Sequence, residues 1–170
     1  MKLASFDAIA MALQNTDVRY LIAGGMAVNA HGYLRSTQDV DIVIQLGAEN
    51  IARAFSALAL LGYRPAVPVT AEQFADESQR LRWASEKGMT VLNFWSDAHK
   101  ETPVDLFISD PFDFEAEYAV ATTGEITPGV QVRFVSLPTL IRMKEAVGRP
   151  RDLDDIQHLR WIVEDSARHG

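Results

Sequence analysis

Residues 18–44, VRYLIAGGMAVNAHGYLRSTQDVDIVI, decide the fold. The opening VRYLIAGG is a short β-branched and aromatic run ending in Gly24-Gly25, which reads as a strand entering a tight turn. MAVNAHGY follows as a short helix, and VDIVIQL is a strong strand, with Asp39-Val40-Asp41 read as lying inside the strand. Side chains at i and i+2 of a strand point to one face, so Asp39 and Asp41 project together while Val40, Ile42 and Ile44 turn to the core. Two carboxylates held side by side repel, and one pKa rises unless a cation intervenes. Oxygen-only ligands of this kind suit Mg²⁺ or Mn²⁺, and Mg²⁺ takes one or two carboxylates plus substrate phosphates. Two glycines at a helix start let the backbone approach a ligand closely, and the free N–H groups there favour an anion such as a phosphate chain.

Working outward, residues 3–14 place Leu3, Phe6, Ile9, Ala10 and Leu13 at helical spacing, and AENIARAFSALALLGY repeats that period until Gly62 stops it. Ala71 to Asp76 reads as a helical turn or two within a loop. RLRWASEK and MTVLNFWS read as two strands joined at Lys87-Gly88, with PVDLFIS a further strand beside them. FDFEAEYAVATTGEITPGVQVRFVS reads as short strands with a Pro128-Gly129 turn. The last third, LPTLIRMKEAVGRPRDLDDIQHLRWIVEDSA, reads as two helices: Pro138 starts the first, Gly148 and Pro150 part them, and Asp152 caps the second. The expected architecture is α+β, a mixed sheet with flanking helices and a C-terminal helical pair at about residues 137–168, all within one domain spanning 1–170.

Composition narrows the chemistry. There is no cysteine, so thiolate metal sites, disulfides and cysteine nucleophiles are excluded. A formal net charge of −7 argues against broad binding to a nucleic-acid backbone, although Arg142, Lys144, Arg149 and Arg151 form a local basic cluster. No run approaches the roughly 20 apolar residues that span a bilayer, and the expectation is a soluble, cytoplasmic protein. The four histidines show no ligand spacing, His31 reading as a helix-end residue. Trp83, Phe94 and Trp95 read as core or sheet-face packing.

Asp105 in PVDLFIS is another lone acid in an apolar strand, and a third carboxylate on a neighbouring strand would complete a two-metal site. Gly-Gly, thirteen intervening residues, Asp-x-Asp in an apolar strand and a later apolar-Asp-apolar strand resemble the DNA polymerase β-type nucleotidyltransferase superfamily. Gly32-Tyr33-x-Arg35-x-Thr37-x-Asp39 is similar to its minimal bacterial members, and Lys144, Ala146, Arg149, Asp152 and Asp155 in MKEAVGRPRDLDDI resemble a downstream motif of the AbiEii-type toxin nucleotidyltransferases.

The resemblance implies a nucleotidyltransferase-like mixed sheet, Mg²⁺ as cofactor, and transfer of a nucleoside monophosphate from an NTP to an acceptor with loss of pyrophosphate. It implies that Gly24 and Gly25 hold the β and γ phosphates, Asp39 and Asp41 the metals, and that Asp105 is third ligand and general base. Lys144 would meet phosphate, Asp152 would orient Lys144 or the acceptor, and Arg35, with Thr37 beside it, would reach the triphosphate. Asp154 and Asp155 are explained by the positive end of the last helix alone. The second glycine departs from the serine common at that place in the family. The acceptor stays open among RNA, protein and small molecule, an antitoxin partner is one option, and a catalytically silent nucleotide-binding module or an antibiotic nucleotidyltransferase are the alternatives.

Overall fold

A computed structural model describes residues 1–169. The chain runs α1 (Leu3–Asn15), β1 (Tyr20–Ile22), α2 (Gly24–Ala30), β2 (Val40–Ile44), α3 (Ala48–Leu60), β3 (Arg64–Pro65), α4 (Ala71–Ala75), α5 (Glu77–Lys87), β4 (Val91–Trp95), β5 (Val104–Phe107), α6 (Phe114–Val120), β6 (Thr122–Thr127), β7 (Val130–Phe134), α7 (Leu137–Val147) and α8 (Pro150–His169). The strands form one mixed sheet in the order β3-β4-β5-β2-β1-β7-β6. This is the α+β arrangement expected, with the helical pair at the C-terminus.

The 18–44 stretch makes the middle of that sheet. β1 and β2 are antiparallel, with Tyr20 opposite Ile44 and Ile22 opposite Ile42, and α2 occupies the connection. β2 runs parallel to β5, and β1 parallel to β7, so both neighbours arrive by crossovers that lay helices on the sheet. Phe6, Ile9 and Leu13 of α1, Ile51 and Leu58 of α3, and Leu21, Ile42, Ile44 and Leu92 of the strands are fully buried. Burial of each such side chain stabilises by roughly 1.5–3 kcal/mol, which is what holds α1 and α3 against the strands. Phe55 joins α3 to α4 and β4, its ring 5.4 Å from that of Phe74 and 5.3 Å from that of Phe94. Leu3, expected on the apolar stripe of α1, is instead largely exposed.

Two segments differ from their sequence reading. RLRWASEK is not a strand but the body of α5, and Lys87-Gly88 is a helix end rather than a hairpin turn, with Gly88 left-handed at φ +60° and the following Met89 N–H bonded to the Trp83 carbonyl. Arg-Leu-Arg-Trp alternates like a strand, yet Asp76 caps the segment by accepting from the N–H groups of Ser78 and Gln79. The two-residue β3, not this segment, lies beside β4 at the sheet edge, opposite Phe94 and Trp95. Trp83 therefore lies on a helix, and Trp95 is partly exposed beneath the Arg64 guanidinium at 4.4 Å. Likewise Phe114–Val120 is helical, capped by Asp113 on the Ala116 N–H, before the β6–β7 hairpin turns at Gly129.

Replacing the α5 cap gives the first expected result. Asp76→Ala should lower stability by about 1 kcal/mol, read as a lower urea midpoint at constant slope. An unchanged midpoint would remove the cap as the reason this segment is helical.

Candidate active site

Asp41 and Asp105 lie directly opposite each other on the parallel strands β2 and β5. In register, their side chains share one face of the sheet, as the alternation of both strands requires. Asp39 lies one residue before β2, at the strand's mouth rather than inside it, and the following Val40 N–H bonds to the Pro103 carbonyl. Burial, then the neighbouring Asp105 and Asp39 carboxylates, push the Asp41 carboxyl up from 3.8 to about 6, against the opposing pull of Lys144 and Arg149. Asp105 is also raised, chiefly by burial, although Asn93 on β4 donates to its Oδ1 at 2.7 Å and pulls the other way. Excess negative charge on one small face is what a bound cation relieves.

The glycine pair fits closely over these acids. Gly24 is left-handed at φ +59°, and a Cβ there would stand 1.8 Å from Asp41 Oδ2. A Cβ on Gly25 would stand 2.4 Å from Thr37 Oγ1 and 3.1 Å from an Arg35 terminal nitrogen. The Gly25 departure from serine thus has a local cause: Thr37 occupies the space that a serine side chain would need.

Residues 31–39 connect α2 to the acids and are fastened to α8 at three places. The Tyr33 hydroxyl donates to Asp154 at 2.9 Å, and its ring stacks on His158 at 3.9 Å. Arg35 grips Asp155 with two parallel bonds of 2.5 and 2.7 Å. Arg151 donates to the Ser36 carbonyl. Asp155 is completely buried and also bonds Lys144 Nζ at 2.6 Å, while Asp152 bonds Lys144 at 3.3 Å and Arg149 at 2.8 Å. Burial works to raise the carboxyls of Asp152 and Asp155, but the hydrogen bonds and positive charges of Arg149, Arg35 and Lys144 outweigh it and hold both below the usual carboxylate range. Asp152 lies inside the first turn of α8 rather than capping it from outside, and its carboxylate reaches back to accept from the Arg149 N–H just before the helix. Asp155 does more than favour the start of a helix: it is the buried link between Arg35 and Lys144.

These groups surround one cleft of about 700 Å³, lined by Gly24, Gly25, Arg35, Thr37, Asp39, Asp41, Asp105, Lys144 and Asp152. Every residue picked out from the sequence as a site candidate therefore borders the same space. The cleft also takes in Arg142, Arg149 and Arg151, with Phe107, Phe112 and Met143 as an apolar wall. Asn93 and the bridging position of Asp155 were not legible in the sequence. An asparagine in a strand has no signal of its own until β4 pairs with β5.

The donor set suits a hard divalent cation: carboxylate oxygens on one face beside a glycine turn, with Asp41 and Asp105 raised first by burial and then by neighbouring carboxylates. Among the described residues, however, no three acidic or imidazole side chains are arranged to enclose a cation unaided.

Replacing Asn93 gives a second expected result. Asn93→Ala removes the donor that pulls Asp105 down, so the Asp105 carboxyl should rise further. A ¹³C titration of the carboxyl should show the midpoint moving to higher pH, and an unmoved midpoint would discard the hydrogen bond as its cause.

No protein-family model matches the sequence, and no curated protein is significantly similar to it. Solved structures do share its fold. The chain is similar to ANT(2'')-Ia in complex with adenylyl-2''-tobramycin, at 14% identity and a TM-score of 0.55, covering 99% of this chain and 98% of that one. It is also similar to an antigenic nucleotidyltransferase-like protein from Paracoccidioides brasiliensis, at 20% identity and a TM-score of 0.54 over 92% of this chain and 74% of that one. A candidate nucleotidyltransferase from Thermotoga maritima matches at 14% identity and a TM-score of 0.52, over 95% and 92%. At such identities the likeness is one of fold, the nucleotidyltransferase fold.

Proposed function

We propose that this protein is a divalent-metal-dependent nucleotidyltransferase that moves a nucleoside monophosphate from an NTP to a hydroxyl of an acceptor. The observation that carries this reading is the cross-strand pairing of Asp41 with Asp105 beneath Gly24, on a sheet of the nucleotidyltransferase fold. Asp39, Asp41 and Asp105 would hold Mg²⁺ or Mn²⁺, which supplies charge neutralisation of the triphosphate and lowers the pKa of the acceptor hydroxyl. Gly24 and Gly25 let Asp41 and Thr37 pack against the turn, whose backbone borders the cleft that would take the phosphate chain, and Lys144, Arg35 and Arg149 supply positive charge around it. Asp105 takes the proton of the acceptor hydroxyl. The acceptor oxygen then forms its bond to the α-phosphorus as the bond to the β-phosphate oxygen breaks, and pyrophosphate leaves. Catalysis on this scheme is positioning and electrostatics, since no side chain becomes covalently modified.

The test is direct. The protein with Mg²⁺, each α-labelled NTP in turn and a cell extract should yield labelled acceptor and free pyrophosphate, and chelation should stop both. Nucleotide binding without product would point to a silent module instead. The resemblance of MKEAVGRPRDLDDI to AbiEii-type toxins supports a finer version, the toxin of a toxin–antitoxin pair, for which induced expression should arrest growth. Modification of an aminoglycoside is the alternative reading, and the cleft's mixed lining of Asp39, Asp41, Asp105 and Asp152 with Arg142, Arg149 and Arg151 carries no acceptor-specific signature for it. Unchanged drug susceptibility of an expressing strain is the corresponding expectation.

A further inference from the structure

We infer that Asp155, which lines no part of the cleft, is a positioning residue: it holds Arg35 and Lys144 together so that both present their remaining N–H groups to a polyphosphate. The inference rests on the nucleotidyltransferase reading for the identity of that ligand, but its geometry stands apart from any reaction. Asp155 Oδ1 accepts from Arg35 Nε at 2.5 Å, and Oδ2 accepts from an Arg35 terminal nitrogen at 2.7 Å and from Lys144 Nζ at 2.6 Å. The carboxylate is fully enclosed, and the side chains of Arg35 and Lys144 are 14% and 8% exposed, so the three groups have little freedom to rearrange. Lys144 has three donors, and Asp152 and Asp155 engage two of them. The other Arg35 terminal nitrogen bonds the Ser36 carbonyl and lies 3.1 Å from the place a Gly25 Cβ would take, hard against the glycine turn.

Two cations this close repel each other, and without a shared counter-charge they would swing apart. Asp155 pairs with Arg35, 120 positions away in the chain, so it ties residues 31–39, which lead into Asp39 and Asp41, to the α7–α8 pair that carries Lys144. A carboxylate beside two phosphate-binding cations weakens anion binding if neutralisation is its only effect. Its presence there makes sense if holding their geometry outweighs the charge that it cancels.

That opposition of signs provides the test. Asp155→Asn keeps the shape and removes the negative charge, so a merely neutralising role predicts tighter binding of inorganic tripolyphosphate, and a positioning role predicts weaker binding. Calorimetry with Mg²⁺ and tripolyphosphate should show Kd rising at least tenfold at unchanged stoichiometry. A purely structural role would lower the stoichiometry, as molecules unfold, and leave Kd alone. Should Asp155→Asn fail to fold, Arg35→Lys serves: it conserves charge, loses the two-bond grip, and should weaken binding about fivefold or more. Equal or tighter binding by Asp155→Asn, wild-type affinity in Arg35→Lys, or no binding by the wild type overturns the inference. If the wild type binds tripolyphosphate with this dependence but transfers no nucleotide, the proposed function falls and the positioning role remains.

Discussion

Asp41→Asn should give a folded protein that is more heat-stable than the wild type in the absence of metal and that transfers no nucleotide. The reason is the carboxyl's elevation from 3.8 to about 6, caused first by burial and then by Asp105 and Asp39. A raised carboxyl favours the fold fully below its unfolded value, and that contribution is lost as pH rises through about 6. The difference is worth roughly 3 kcal/mol, so at pH 7.5 the charged form opposes folding by up to that amount. Asparagine removes the cost, and each kcal/mol should appear as about 2–4 °C in Tm for a chain of this size. Below pH 4 the two proteins should melt together. Millimolar Mg²⁺ should raise the wild-type Tm and raise the variant's less, because the variant keeps only Asp39 and Asp105 of the three proposed carboxylates. Transfer should fall by at least ~10²–10³-fold, the scale seen when one preorganised electrostatic contact is removed. A variant less stable than wild type at pH 7.5, or one with full transfer, would sink the account of Asp41 as a strained metal ligand.

Gly24→Ala is the second large effect, and it arises from contact rather than charge. The new methyl carbon would stand 1.8 Å from Asp41 Oδ2, and the residue would have to stay at φ +59°. The left-handed conformation alone costs an L-residue roughly 1–2 kcal/mol, and the clash displaces the carboxylate just discussed. Stability should fall by about 1–3 kcal/mol and transfer by at least ~10²-fold. Because the two side chains collide, the effects should not add. In an Asp41→Ala background, Gly24→Ala should cost markedly less stability than it does alone. Equal costs in both backgrounds would mean that the turn's backbone, not the approach to Asp41, demands glycine.

Much of the site was legible because its parts are local. The i, i+2 spacing of Asp39 and Asp41 fixes a common direction in any strand, and Gly24-Gly25 ahead of a short helix marks a close backbone approach. Asp105 stood out as a lone acid among Val104, Leu106 and Phe107, and its register with Asp41 agrees with that expectation. The α7–α8 pair was bounded by Pro138, Gly148 and Pro150, residues whose dihedral limits act whatever surrounds them. By contrast, RLRWASEK carries a strand-like alternation, while the caps that make it a helix, Asp76 and Gly88, lie outside it. Nothing within its eight residues decides between strand and helix.

What the sequence by itself determined, then, is direction and interruption: which side chains share a face, where helices start and stop, and which acids sit in apolar strands. Covalent geometry sets these, so they survive without tertiary context. Only the tertiary structure decided the pairings across the chain: Asp41 with Asp105, Asn93 with Asp105, and Arg35 with an Asp155 that looked like an ordinary helix-start acid. It also made α5 a helix, with the two-residue β3 rather than this segment beside β4. Those outcomes depend on which strands the buried core of Ile42, Leu106 and Leu92 brings side by side, and that competition is settled by packing over the whole chain rather than by any one segment.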